Sequence, residues 1–355
     1  MSFSHVNTSQ LSISLRSPHT SEQTGKRAAP CKQLSPVELP KDSCIHHLFE
    51  RQVRQTPHAI AILTEDTQFT YQKLNRQANR LAYQLLDLGI SPEQQVGICV
   101  EPSLDMVVGL LAVLKAGGAY VLIEPTHPRI KFILQDTQVR ILLSQTQFEQ
   151  SLANCLPYEN TTLICLNRDR WTNMQSCPNP TTTATSDRLM CVAYTFHSTN
   201  HLTTDHPKAV RLSHRSLCNR LRYQQATFSL TAQNRVLQNI SFSFEPAVWQ
   251  IFWPLLVGAK LVLPKPEHYQ DAAYLSKLIA SQDISVVALM PALLRLLLKQ
   301  PDLDQCSALS HIFCGSEVLP AELQQHLLQR LSEVSVHLYN LNSSTKSTNV
   351  SIEAA

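Results

Sequence analysis

Short apolar runs alternate with segments of helical periodicity along most of this chain. The runs at residues 59–63, 95–100 and 119–123 have the length of buried β-strands. Between the first two, leucine and alanine recur at helical spacing over residues 74–88, and Gly89 follows as a C-cap. Strands separated by helices in this way pair in parallel, because each helix carries the chain back across the sheet. The sequence therefore predicts an α/β fold with mostly parallel sheets covered by helices.

The same alternation continues to the end of the chain. Further strands are predicted at residues 141–144, 189–194, 236–239, 260–263, 284–288, 311–314 and 334–339, and further helices at residues 45–53, 104–116, 129–138, 216–228, 246–257, 275–281, 293–298 and 320–331. Residues 1–43 are rich in Ser, Thr and Pro and predict a disordered arm. Residues 167–187 have a similar composition and predict an exposed loop. The ordered domain is therefore expected to occupy residues 44–355.

Composition excludes several classes of protein. A net charge of +3 without blocks of like charge is too weak for a nucleic-acid-binding surface. No apolar run reaches the ~18 residues that a membrane span needs. The ten cysteines form no C-x-x-C pair, which indicates reduced thiols in a cytoplasmic protein. Cys99, Cys165, Cys191 and Cys314 lie in apolar runs, where they are expected to fill the core.

Residues 189–214 combine a strand, a Ser/Thr-rich loop and Lys208. This is the general arrangement by which proteins hold phosphate groups. However, no glycine occurs between Ala119 and Val257. Glycine allows backbone N–H groups to wrap a phosphate, because it tolerates close approach and positive φ. The sequence thus has the outline of a nucleotide site without its usual backbone.

Several blocks of the chain resemble the core motifs of the adenylation domains of nonribosomal peptide synthetases. The blocks are residues 44–50 (CIHHLFE), 70–75 (TYQKLN), 114–121 (LKAGGAYV), 241–263, 311–320 and 338–345, and they occur in the order found in that family. The resemblance implies the N-terminal core of the adenylate-forming fold at residues 44–355, without the C-terminal subdomain. It also implies an ancestral reaction with ATP and Mg²⁺, in which an amino-acid carboxylate attacks the α-phosphate. The products are an aminoacyl-adenylate and pyrophosphate, and the acyl group then passes to a carrier-protein thiol.

The phosphate loop of that family reads Y-T-S-G-S-T-G-K-P-K-G. By resemblance, the retained phosphate-binding positions are Thr195, Ser198, Thr199 and Lys208. The three glycine positions are occupied by His197, Asn200 and Ala209. Residues 201–206 stand where the family has a single residue, so the loop is longer. Three Cβ atoms now occupy positions that need none, so the backbone cradle is not expected to form.

The resemblance also indicates a substrate pocket. Glu245 stands where the family has an aspartate that binds the substrate α-ammonium group, so the charge is kept one methylene further out. Pro246 and Trp249 stand at positions that line the amino-acid pocket of relatives. Trp249 has a second interpretation, as a core tryptophan on an amphipathic helix.

The last motif departs furthest from the family, whose pattern is N-x-Y-G-P-T-E. Thr345 is retained, whereas Asn342 replaces the tyrosine that stacks on adenine. Lys346 replaces the glutamate that supports Mg²⁺, and a cation at this position repels the metal. No metal ligand is therefore predicted at this motif.

Histidines in the altered loop suggest a second kind of metal site. The group considered is His197, His201, Asp205, His206 and His214. Their flanking residues do not favour a helix, and no cysteine lies at a ligand spacing. A solvated loop is the preferred interpretation.

Three functions remain open at this stage. The favoured one is an adenylation-like module of peptide synthesis that is catalytically impaired. The second is an active aminoacyl-adenylate-forming enzyme that uses an atypical loop and a C-terminal part from another chain. The third is a noncatalytic interaction scaffold. The expected partners are other synthetase modules or a carrier protein, with an amino acid as substrate if the chain is active.

Overall fold

The chain forms two compact units, Pro36–Asp271 and Ala272–Ala355. The computed structural model describes residues 39–40, 42–156, 160–168, 177–195, 208–241, 245–315, 319–332, 334, 336–342 and 351–354. No helix in these ranges is both long enough and apolar enough to cross a membrane.

The first unit contains two sets of strands and the helices that cover them. Its helices are α1 (Ile45–Gln55), α2 (Tyr71–Asp87), α3 (Leu104–Lys115), α4 (Ile130–Asp136), α5 (Glu149–Ala153), α6 (His214–Phe228) and α7 (Glu245–Val257). Its strands are β1 (Ile60–Leu63), β2 (Gln68–Thr70), β3 (Gln95–Cys99), β4 (Ala119–Ile123), β5 (Ile141–Ser144), β6 (Thr162–Cys165), β7 (Leu189–Thr195), β8 (Lys208–Ser213), β9 (Arg235–Leu237) and β10 (Lys260–Val262).

The second unit is smaller and repeats the same alternation. Its helices are α8 (Ala272–Ser281), α9 (Pro291–Leu297) and α10 (Ala321–Arg330), and its strands are β11 (Val286–Leu289), β12 (His311–Gly315), β13 (His337–Asn342) and β14 (Ser351–Ala354). Three 3-10 turns, Thr146–Phe148, Pro266–His268 and Pro301–Gln305, complete the described elements.

The strands are mostly parallel, which confirms the predicted α/β class. In the first unit, a six-stranded sheet has the order β6-β5-β3-β4-β7-β8, and four further strands have the order β9-β10-β1-β2. In the second unit, the order is β14-β13-β12-β11. The antiparallel neighbours are β8 beside β7, β2 beside β1 and β14 beside β13.

Local sequence explains where several of these elements begin and end. Thr70 caps α2 by accepting a hydrogen bond from the N–H of Lys73, and Ser103 caps α3 in the same way. Gly117 ends α3 with φ of 82°, a conformation that glycine adopts without strain. These local signals place α2 and α3 within a few residues of their predicted positions.

The predicted exposed loop at residues 167–187 is wrong at Asn179. The side-chain oxygen of Asn179 accepts hydrogen bonds from Asn75 at 2.8 Å, from Asn79 at 3.0 Å and from Lys115 at 3.3 Å. Asn79 and Lys115 are buried, so polar composition misled the prediction. Buried donors need an acceptor, and this segment supplies one.

Other differences concern edge strands and the N-terminal arm. Strands β2, β6, β8 and β14 were not predicted, and β13 begins at His337 instead of residue 334. The predicted arm lies mostly outside the described residues and stays a prediction. At its described end, Leu39 is buried, and the carbonyl of Ser43 accepts a hydrogen bond from Cys218. Packing of the chain therefore starts before Cys44.

Candidate functional site

Two of the predicted phosphate-binding positions, Thr195 and Lys208, lie at one edge of the six-stranded sheet. Strand β7 pairs in parallel with β4, so Thr195, the last residue of β7, lies at the same edge as Glu124. Lys208 is the first residue of β8 and pairs directly with Thr195. The Lys208 side chain is exposed at this edge. Ser198 and Thr199 lie outside the described residues.

Strand β7 is anchored by Tyr194. The Tyr194 hydroxyl donates a hydrogen bond of 2.5 Å to Asp136. Burial is the main cause that raises the pKa of Tyr194, and the Asp136 carboxylate raises it further. Ala209 pairs with Tyr194 and packs against the same apolar cluster. One of the family's three glycine positions is therefore a strand residue here, and its methyl group contributes to the core.

A cleft of about 240 Å³ opens at the carboxyl ends of β3 and β4. The segments that follow β9 and β10 also line it, so strands from both sets of the first unit contribute. Its walls include Glu101, Glu124, Phe148, Ser241, Pro266 and Tyr269. Open α/β sheets bind ligands at the carboxyl ends of their strands. This cleft is therefore the candidate binding site in the first unit.

Carboxylates give the cleft a negative character. Glu101 accepts a hydrogen bond of 3.1 Å from Gln147, and its backbone N–H donates to Gln145. Burial raises the pKa of Tyr269, and the charge of Glu124 adds to this effect. Burial lowers the pKa of His127, an effect that Glu124 opposes. Two carboxylates with nearby aromatic rings favour a cationic group over a free triphosphate.

Helix α7 positions the predicted substrate residues. Glu245 and Pro246 begin this helix, but their side chains lie outside the described part of the structure. Trp249 is 1% exposed, and its ring centroid lies 6.1 Å from that of Trp253. The structure therefore places Trp249 in the core of the first unit. Its role as a wall of the amino-acid pocket stays a prediction.

Gln250, near the middle of α7, joins this helix to the segment that follows β9. Its side-chain oxygen accepts hydrogen bonds from the backbone N–H groups of Asn239 and Ile240 at 3.3 and 3.2 Å. Its amide nitrogen donates to the Asn239 side chain at 3.1 Å. Because Gln250 is fully buried, these bonds satisfy a group that is costly to leave unpaired. The sequence motif did not identify this positioning residue.

The C-terminal motif belongs to the second unit. Asn342 is the last residue of β13 and pairs in antiparallel with Ser351 of β14. Thr345 and Lys346 lie outside the described residues, so the roles assigned to all three positions stay predictions.

His214 is the one member of the candidate histidine group that the structure describes. His197, His201, Asp205 and His206 lie outside the described residues. His214 is buried at the start of α6, where its Nδ1 accepts a hydrogen bond of 3.2 Å from the N–H of Ile45. His214 therefore packs against α1, and its grouping with the loop histidines stays a prediction.

Comparison with known proteins places these observations in a family. The family model described as AMP-binding enzyme matches residues 49–348. Tyrocidine synthase 3 of Brevibacillus parabrevis is 36% identical over 311 residues, which cover 87% of this chain and 5% of that protein. Zwittermicin A synthase ZmaJ of Bacillus cereus is 32% identical over 292 residues, which cover 80% of this chain and 53% of that protein. The chain thus spans about half or less of these curated relatives.

Solved structures show the same fold. A crystal structure of the nonribosomal peptide synthetase FmoA3 has a TM-score of 0.79 and 24% identity, covering 89% of this chain and 33% of that one. The Klebsiella oxytoca NpsA N-terminal subdomain has a TM-score of 0.75 and 19% identity, covering 89% of this chain and 76% of that one. With the ordered motifs and the sheet order, these matches show that the chain belongs to the AMP-binding enzyme family, as a homologue of the adenylation domains of nonribosomal peptide synthetases.

Proposed function

We propose that this chain is an adenylation-like module of nonribosomal peptide synthesis whose amino-acid activation is strongly impaired. The observation that carries this proposal is the absence of glycine from residues 196–207, the segment that joins β7 to β8. Triphosphate binding by a backbone loop needs several N–H groups that converge on the phosphate oxygens. Side chains at the positions of His197 and Asn200 oppose that convergence.

The neighbourhood of this segment supports the same conclusion. Ala209 packs its methyl group against the core, so the third glycine position is committed to sheet packing. Glu101 and Glu124 line the adjacent cleft, and their charges disfavour a triphosphate that no cation accompanies. At the last motif, Lys346 supplies a positive charge where relatives supply a metal-supporting carboxylate.

A second candidate is an active amino-acid-activating enzyme with an atypical loop. It is supported by the exposed side chain of Lys208, which begins β8 opposite Thr195. Thr199, Thr345 and Glu245 also retain the residue type or the charge of the family. This candidate requires ATP and Mg²⁺, and a C-terminal subdomain that another chain can supply. The third candidate is an interaction scaffold that binds neither ATP nor an amino acid.

The family suggests the partners of this chain, and its cysteines suggest its location. The matched region is only 5% of tyrocidine synthase 3 and 24% of phosphinothricin tripeptide synthetase PhsB, so we propose other synthetase modules or a carrier protein as partners. The cytoplasm is the proposed location, because the nine cysteines within the described ranges are free thiols, as expected in a reducing compartment.

ATP–pyrophosphate exchange tests the proposal directly. The amino-acid carboxylate attacks the α-phosphorus of ATP, the bond to the β-phosphate oxygen breaks, and pyrophosphate leaves; labelled pyrophosphate returns to ATP in the reverse step. The assay uses a panel of amino acids, with and without the C-terminal subdomain of a relative. We expect exchange at least about 10²–10³-fold below that of a relative, the scale expected when transition-state charge loses its fixed donors.

The decisive comparison is between the native chain and a repaired variant. The repaired variant carries His197→Gly, Asn200→Gly, Ala209→Gly and Lys346→Glu. Exchange that rises in the repaired variant supports loss of the phosphate site. Exchange by the native chain at the level of a relative overturns the proposal. Calorimetry with Mg-ATP separates an impaired enzyme from a scaffold, since a scaffold gives no binding heat.

A further inference from the structure

The start of α1 brings together a thiol and two imidazoles. None of these three side chains belongs to the predicted ATP-binding or substrate-binding positions. Cys44 is the N-cap residue of α1, and His46 and His47 lie in its first turn. The Cys44 Sγ and one ring nitrogen from each histidine all lie within 4.8 Å of one another. We call these three residues the α1 cluster. Cys44 is 2% exposed and His46 is 1% exposed, whereas His47 is exposed.

His46 has an unsatisfied polar atom within this cluster. Its Nε2 lies 3.4 Å from the hydroxyl oxygen of Thr182, within hydrogen-bonding distance. Its Nδ1 is buried and has no hydrogen-bond partner among the residues that the structure describes. A buried polar atom without a partner costs about 1–3 kcal/mol. A bound metal ion would give this atom the partner that it lacks.

The Cys44 side chain is also available as a ligand. As the N-cap residue it makes no side-chain hydrogen bond to the helix. Its thiol donates a weak hydrogen bond to the carbonyl of Ala184 at 3.4 Å, and this can be given up when the thiol loses its proton. Burial raises the pKa of the Cys44 thiol to about 11, so a metal ion has to displace the thiol proton when it binds.

His214 holds the cluster in place. Its Nδ1 accepts a hydrogen bond from the N–H of Ile45, so the first turn of α1 is fixed against α6. The ring centroid of His214 lies 5.5 Å from that of His46 in an edge-on arrangement. His214 is thus a positioning residue for His46. The segment that contains Thr182 and Ala184 covers the cluster from the other side.

We propose that Cys44, His46 and His47 bind a zinc ion through Sγ and one nitrogen of each imidazole. One thiolate and two imidazoles form a donor set that zinc accepts, with a fourth position for water on the side of the exposed His47. Bond lengths of about 2.0–2.3 Å in a tetrahedral site correspond to ligand separations of about 3.3–3.8 Å. Because the ligand atoms lie within 4.8 Å of one another, the side chains need to approach by at most about 1–1.5 Å when the ion binds.

The ion would stabilise the packing of α1 at the start of the domain. It would link the first turn of α1 to the segment near Thr182 and, through His46 and His214, to α6. Metal binding to the folded state stabilises that state, because the unfolded chain lacks the assembled ligands. This inference does not depend on ATP binding or on the proposed loss of activation.

The test titrates the metal-free 355-residue chain with Zn²⁺ against a chromophoric chelator and, separately, with Co²⁺. We expect one tightly bound equivalent of Zn²⁺, and a sulfur-to-cobalt charge-transfer band with Co²⁺. His47→Ala should weaken Zn²⁺ binding by more than about tenfold, since even an outer-shell partner is worth 10–100-fold. Cys44→Ser should remove the charge-transfer band. The matched controls are His58→Ala and Cys155→Ser, which lie outside the cluster.

Because His47 is exposed, His47→Ala is expected to fold, and circular dichroism checks this. His47→Ala alone therefore decides the question if Cys44→Ser does not fold. Zinc should raise the melting temperature of the native chain and of His58→Ala, but not that of His47→Ala. Equal Zn²⁺ affinity in His47→Ala and His58→Ala would overturn the proposal, as would a native chain that binds no equivalent of Zn²⁺. In either case the cluster serves only to pack α1 against α6.

Discussion

The ammonium group of Lys115 is fully buried and donates a hydrogen bond to the carboxylate of Glu50, 65 residues earlier in the chain. This pair joins the end of α3 to α1. Burial lowers the pKa of Lys115 to about 8, and the charge of Glu50 opposes that change. Lys115 also donates to Asn179, so the same ammonium group ties down the segment that follows residue 176. Three distant parts of the first unit therefore meet at one side chain.

Removing one member of this pair should destabilise the fold strongly. Lys115→Met leaves a buried carboxylate without its partner, which costs about 3–5 kcal/mol. The double change Lys115→Met with Glu50→Gln removes both charges and should recover at least half of that loss. Denaturant unfolding measures both, with Lys277→Met, at an exposed position of α8, as the control. A loss below about 1 kcal/mol for Lys115→Met would show that the pair is not a structural requirement.

Two glycines should respond in opposite ways to the same added methyl group. A Cβ at Gly118 would lie 2.7 Å from the Ile90 Cδ1 atom and 3.1 Å from the backbone oxygen of Gln94. Gly118→Ala should therefore cost about 1–3 kcal/mol in the free energy of unfolding. At Gly109 inside α3, the nearest atoms lie at 3.5 Å, so Gly109→Ala should stabilise by about 0.5–1 kcal/mol. Thermal or denaturant unfolding gives both values, and destabilisation of equal size at the two sites would contradict the prediction.

Acid should weaken the second unit through His311. Burial lowers the pKa of His311 to about 4, and the nearby His337 contributes a smaller part of this decrease. The unfolded value is about 6.5, so between these values the unfolded state binds a proton that the folded state does not. The free energy of unfolding should therefore fall as pH drops from about 6.5 to about 4, by on the order of 2–3 kcal/mol.

A substitution at His311 isolates this contribution. His311→Phe keeps a ring beside Tyr339, whose centroid lies 5.9 Å away, and removes the titrating group. The hydroxyl of Ser310 would still donate to the carbonyl of Ser285. Stability measured against pH should be flatter in this variant than in the native chain. His326→Phe, at an exposed position of α10, should keep the native slope; a matching loss of slope there would refute the assignment.

Charge at residue 346 should control Mg-ATP binding. Lys346→Glu replaces a cation with a carboxylate at the position where relatives support Mg²⁺. We expect the affinity for Mg-ATP to rise by about tenfold or more, equivalent to about 1.4 kcal/mol. Calorimetry measures this, with Lys299→Glu as a charge-matched control at an exposed site. An affinity that stays at the native value would assign the loss to the glycine-free segment at residues 196–207.

The sequence identified elements whose signals are local. Helix α2 follows from its apolar period and from Gly89 after its end, and β4 follows from a continuous apolar run. It failed at β8, because the strand Lys208–Ser213 is half exposed and begins with a lysine. It also failed at Asn179, a half-buried residue whose side-chain oxygen accepts hydrogen bonds from the buried residues Asn79 and Lys115.

The sequence also predicted some features of the candidate site and missed others. The motifs named Thr195 and Lys208, but their direct pairing across β7 and β8 is a matter of strand register. Glu101 and Glu124 carried no motif, and they share a cleft only because β3 and β4 are neighbours with parallel carboxyl ends. Gln250 is likewise inconspicuous in sequence, although it joins α7 to the segment that follows β9.

By itself, the sequence determined the fold class, the family and the positions where glycine and acidic residues are missing. These depend on periodicity and on residue type, which are properties of the chain read in order. Only the tertiary structure decided which side chains are buried together and which of them form hydrogen bonds with each other. Lys115 with Glu50, and His46 with His214, meet across 65 and 168 residues, and no local pattern encodes contacts between positions so far apart.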